Sequence, residues 1–174
     1  MEITRGKRVL MYIVICALFL IEVVLRDRIS ILGQRPELLL IITLFFGLQF
    51  GVSGGIEAGL VSGLLKDVFS ITGLGISTFS FFILGFLSGY LKEKLFKESV
   101  ITQCFLSILA VYLFSGIYAL YLSGIVENNL NADFWNVILY KALYTGFVTP
   151  AFFFIFSHIF KTREMYSDYV YKAR

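Results

Sequence analysis

Residues 47–67 read "GLQFGVSGGIEAGLVSGLLKD", with glycine at 47, 51, 55, 59 and 63 and an acid, Asp67, on the next step of the same four-residue beat. In water, each glycine in a helix costs about 1 kcal/mol relative to alanine. In lipid the balance changes, because hydrophobic attraction between helices is absent and close backbone contact has to take its place. Small residues four apart then form a groove for a neighbouring helix. We read Gly47 as the end of one helix and Gly51 and Gly54 as the turn, so the row proper is Gly55, Gly59 and Gly63. Gly85 and Gly89 in "GFLSG" repeat the spacing one helix later. The two helices are expected to pack backbone to backbone as the rigid centre of the molecule, and the same groove is a candidate seat for a partner's membrane helix.

The rest of the chain supports lipid as its solvent. Of 174 residues 58% are hydrophobic, 19 are Phe, 10 are Tyr and only 16% are charged, too few charges for the shell of a water-soluble domain. The apolar runs do not alternate as barrel strands would, and six short strands would not close. The expected fold is all-α: one polytopic membrane domain over 1–174, with six transmembrane helices near 9–25, 36–50, 54–69, 75–91, 100–124 and 135–160. Lysines and arginines orient it. With a cytoplasmic N-terminus, the inside holds Arg5, Lys7, Arg8, Lys92, Lys94, Lys97, Lys161, Arg163, Lys172 and Arg174. The outside holds Arg26, Arg28, Arg35 and Lys66. This asymmetry places both termini in the cytoplasm. The net charge of +3 serves orientation and contact with anionic lipid, and no basic face is long enough for nucleic acid.

Charged residues within the spans need an explanation, since one at the bilayer centre costs at least about 2.5–3.5 kcal/mol. Glu22, Glu57 and Lys141 are candidate membrane-embedded polar contacts. Glu22, Lys66 and Asp67 are expected to reach the outer interface and Lys141 to snorkel toward it, while Glu57 lies shallow on the cytoplasmic side. Pro36 suits a helix start, and Pro150 is expected to bend the last span. Cys16 and Cys104 are expected to be buried packing residues rather than a disulfide or metal pair. A lone histidine, His158, and the lack of GxSxG, CxxC and phosphate-loop motifs give no catalytic or metal-ligating residues and no cofactor.

Between Arg35 and Lys94 the sequence resembles the rod shape-determining protein MreD family of bacteria. The resemblance rests on "RPELLLIITLFFG", "GLVSGLLKDVFSITGLGIS" and "LGFLSGYL", joined by the acid in "FLIEVVLRD". It implies a non-catalytic component of the cell-elongation machinery in the bacterial inner membrane. It also implies partners: an MreC-like single-span protein, a RodA-type glycosyltransferase, a class B transpeptidase and the MreB filament. Pro36, Gly59, Gly63, Asp67, Gly73 and Gly75 match the family's motif as packing, turn and cap residues. An alternative of another class is the substrate-binding membrane subunit of an energy-coupling-factor type vitamin transporter, also six-helical and of similar length. The first span lacks the Ala-x-x-x-Ala surface of those subunits, having only Ala17. Gln49, Glu57, Thr78 and Lys141 are the polar residues that could line such a pocket.

Overall fold

The computed structural model of the chain describes residues 5–24, 28, 34–70, 75–93, 99–126 and 132–160. These form α1 Arg5–Val24, α2 Leu38–Phe50, α3 Val52–Val68, α4 Ile76–Tyr90, α5 Val100–Val126 and α6 Ala132–Ile159, with a 3-10 turn at Leu91–Glu93. Val100–Tyr121 in α5 and Trp135–Ile159 in α6 are long and apolar enough to cross a membrane, whereas α2 and α4 are shorter apolar helices.

The shortest helix is the centre. The 13 residues of α2 are apolar on every side, and all but Gln49 are buried. It touches α1, α3, α4, α5 and α6. A helix with no polar face can be buried all round, and at about 20 Å α2 is shorter than the roughly 30 Å of a bilayer's hydrocarbon. The expectation that α3 and α4 form the centre is thus corrected. Those helices flank α2 and expose Leu60, Leu64 and Val68 on one and Phe79, Phe86 and Tyr90 on the other. Helix α3 has a bare face of glycines and an opposite face of aliphatic side chains, so it buries only the first.

That bare face meets α4 in antiparallel register. A Cβ built on Gly55 would fall on the carbonyl of Gly85, one on Gly59 on the carbonyl of Phe81, and one on Gly63 on the backbone of Thr78. At the far end a Cβ on Gly89 would lie 2.5 Å from the Cα of Val52. The two glycine rows therefore fill each other, and no groove is left on them for a third helix. Gly47 joins the row from α2, where a Cβ would reach 2.8 Å from the Cβ of Ser88.

The turn is shorter than the sequence reading had it. Gly51 alone links α2 to α3, at φ +81°, a left-handed conformation that glycine adopts without a Cβ penalty. Its N–H donates to the Gly47 carbonyl at 2.9 Å, its own carbonyl accepts from Gly55 at 3.0 Å, and Gly54 lies inside α3. At the other end of α2, Pro36 sits two residues ahead of the first helical residue, and its carbonyl accepts from Leu38 N–H at 3.2 Å.

The last two helices make a separate close pair. A Cβ on Gly146 of α6 would come 2.6 Å from Ile108 Cγ1 and 3.3 Å from the Cys104 carbonyl of α5. Pro150 lies within α6, which continues to Ile159. One face of α6, formed by Ile138, Ala142, Thr145, Thr149, Phe153 and Phe156, is buried. Its phenylalanines meet α2, with Phe45 to Phe153 and to Phe156 both 5.4 Å between centroids and Phe46 to Phe160 at 4.9 Å. Lys7 lies 5.7 Å over the Phe50 ring and Phe50 packs 6.5 Å from Phe160. The start of α1 and the end of α6 therefore share one end of the bundle. Cys16 is exposed on the outer face of α1, against expectation, and Cys104 is half-buried; both are free thiols.

Gly59→Leu is expected to lower the unfolding free energy in detergent by about 3 kcal/mol, the upper end of overpacking penalties, because its side chain would have to displace α4 backbone. Gly6→Ala, with nothing within 4 Å of the added carbon, should not lower the melting temperature. Equal melting of Gly59→Leu and the parent protein would refute the backbone contact.

Candidate functional site

At the bundle end opposite Lys7 and Phe160, charged side chains turn inward. Glu37, the residue before α2, is buried, and each of its carboxylate oxygens takes a different lysine: Lys66 of α3 on Oε2 and Lys141 of α6 on Oε1. Its own backbone N–H donates to Thr145 Oγ1 of α6 at 3.2 Å, and that hydroxyl donates in turn to the Lys141 carbonyl at 2.9 Å. A buried carboxylate is tolerable when it is paired and its lone pairs are filled, and Glu37 meets both conditions.

The two ammonium groups have aromatic walls. Lys66 Nζ lies 5.5 Å from the ring centroid of Phe81 in α4 and 4.8 Å from that of Phe114 in α5, and Lys141 Nζ lies 5.6 Å from Phe114. Each ring face attracts the cation by about 0.5–2 kcal/mol, more when water is excluded. Glu22, near the end of α1, interacts electrostatically with Glu37, Lys66 and Lys141. Its Oε2 is buried with no hydrogen-bond partner. The two acids and two lysines, with the two rings, draw side chains from α1, α3, α4, α5 and α6 and from the residue that opens α2.

Asp67, next to Lys66, ties α3 to α4. It is only 2% exposed. Its Oδ2 accepts from Gly75 N–H at 3.0 Å, Thr78 N–H at 2.8 Å and Thr78 Oγ1 at 2.6 Å, and its Oδ1 accepts from Ser77 N–H at 3.0 Å. These are the unpaired donors at the start of α4, where the helix dipole also favours an anion. Gly75 is the cap position of α4 at φ +101°, and Gly73 lies outside the described residues.

Lys66 and Lys141, expected at or toward the outer interface, share Glu37, and Asp67, expected there too, caps α4. Lys141 lies nine residues into α6, about 14 Å along its axis, and its ammonium meets the carboxylate of Glu37 at the start of α2. Glu57 stands apart at the other end of the bundle. Arg8 Nε lies 3.4 Å from its Oε2, and Tyr12 of α1 donates to its Oε1. Three of the four polar residues offered for a transporter pocket, Glu57, Thr78 and Lys141, are thus spent on partners in the protein. Among the described residues no three His, Cys, Asp or Glu gather as a metal cage would need.

Sequence reading missed Glu37. Its signal was present: two lysines at the same membrane level, one ending the third span and one early in the sixth, require an acid at that level. The start of the second span supplies one.

Replacing Glu37 with Leu is expected to cost about 3–5 kcal/mol of stability in detergent, since two lysines are left facing each other without their shared acid. Combining it with Lys66→Met and Lys141→Met should restore most of that loss. A triple variant as unstable as the single one would refute the pairing. Asp67→Asn should also destabilise, by about 1–3 kcal/mol, because its amide must turn NH₂ toward backbone donors. Melting like that of the parent would contradict the cap.

The model of the family described as rod shape-determining protein MreD matches residues 6–162. No curated protein matches the chain, nor does any solved structure. The family match takes in all six helices and every residue of the charge cluster, so the chain belongs to the MreD family of rod shape-determining membrane proteins.

Proposed function

We propose that this protein is a six-span, non-catalytic scaffold of the bacterial cell-elongation complex in the cytoplasmic membrane. It holds an MreC-like single-span protein beside wall-synthesis partners, a RodA-type glycosyltransferase and a class B transpeptidase, and couples them to the MreB filament. The observation that carries this reading is the family match over 6–162. The use of the charged side chains agrees with it. Glu37, Lys66, Lys141, Asp67 and Glu57 each hold another part of the same chain, as expected of a body whose task is shape.

A partner helix would lie on an outer face, because the glycine rows at Gly55, Gly59, Gly63, Gly85 and Gly89 are occupied by each other. The exposed apolar side chains of α1, including Val9, Ile13 and Leu20, and of α5, including Ile101, Phe105 and Leu109, offer such faces. Arg5, Lys7, Arg8 and Lys92 belong to the end of the bundle that holds Phe50 and Phe160, which favours that end as cytoplasmic, with both termini.

Depletion in the native rod-shaped bacterium is expected to turn rods into spheres, and an MreC-like protein should copurify in mild detergent. Unchanged rods after full depletion would overturn the proposal. Labelling of a cysteine added to the tail from outside intact cells would overturn the orientation.

A further inference from the structure

The contacts between helices are of two physical kinds. Within α1–α4, the α3–α4 seam is backbone against backbone, and Arg8 and Tyr12 tie α1 to Glu57 of α3. The α2–α3 link is a single residue, and Asp67 nails α3 to the first turn of α4. Within α5–α6, a Cβ on Gly146 would meet the Ile108 side chain at 2.6 Å and the Cys104 carbonyl at 3.3 Å, a looser approach but a direct one. Among the described residues, no glycine forms a backbone seam between these two units. Toward the α1 start, the junction is phenylalanine on phenylalanine, Phe45 and Phe46 against Phe153, Phe156 and Phe160. Toward the other end it is Glu37 with Lys141 and Thr145, and Phe81 against Phe114 at 5.3 Å. In lipid, apolar side chains lose little by exchanging one another for acyl chains. An ion pair in the same place has no such substitute. The polar end therefore holds the two units together more firmly than the apolar end does.

We propose that α5–α6 is a movable arm on a rigid α1–α4 body, and that the Glu37–Lys141 ion pair is the latch that closes it. Lys66 keeps Glu37 oriented when the latch is open, because it holds the opposite oxygen from within the body. The phenylalanine end is then the pivot, since rings there can slide without leaving a polar group unpaired.

The test uses the full chain in lipid nanodiscs with Cys16→Ser and Cys104→Ser, and spin-label pairs at exposed positions. Val68 with Tyr140 reports the latch end, Val9 with Phe154 the pivot end, and Val9 with Phe86 the body. Lys141→Met should shift the Val68–Tyr140 distances to longer values or split them into two populations, with the other two pairs unchanged. Lys141→Arg should keep the parent distribution. Should Lys141→Met fail to fold, Glu37→Gln with Lys141→Met removes the latch without leaving that pair half-charged, and the same shift is expected. Unchanged Val68–Tyr140 distances in both variants would overturn the proposal, because the other contacts at that end would then hold the arm without the ion pair. Broadening of all three pairs would overturn it too, since the ion pair would then hold the whole fold.

Discussion

A buried carboxylate must find its cations within the protein, and Glu37 finds two on different helices. This requirement organises one whole end of the bundle. Lys66 and Lys141 must point inward to meet the acid, so their helices cannot rotate freely about their axes. Phe81 and Phe114 then fill the space over the ammonium groups, which sets α4 and α5. A network of this kind contributes modestly to net stability compared with an apolar replacement, yet is costly to leave half-made. Its effect is on which arrangement of helices is permitted.

The glycine seam solves a different problem. It supplies close contact where lipid removes the hydrophobic drive, and it does so without direction along the sequence: the rows at 55, 59 and 63 and at 85 and 89 could slide by one four-residue step. Asp67 removes that freedom. By accepting three backbone N–H groups and a hydroxyl from residues 75–78, it sets the register of α3 on α4. The acid on the same beat as the glycines is the stop at the end of their track.

Much of this could be read from residue order. Six apolar runs, their approximate ends and the small residues in the third and fourth followed from composition and spacing, because a helix in lipid has a minimum length and a glycine row has few other uses. The central place of α2 was not legible: an all-apolar helix looks the same whether lipid or protein surrounds it, and only the neighbours decide. The charge cluster was half legible. Glu22, Asp67 and Lys141 stood out as charges in apolar runs, but each was given the nearest water as its partner, since a linear sequence shows depth along one helix and hides the acid on the next. Glu37, beside Pro36 at the start of a span, passed for an ordinary end residue.

The members of the cluster also come at very different points in the chain: 22, 37, 66 and then 141. During synthesis the two acids emerge first, the first lysine follows some thirty residues later, and the second is made only with the sixth helix. A chain interrupted before the sixth helix therefore keeps an acid in the membrane with half its counter-charge.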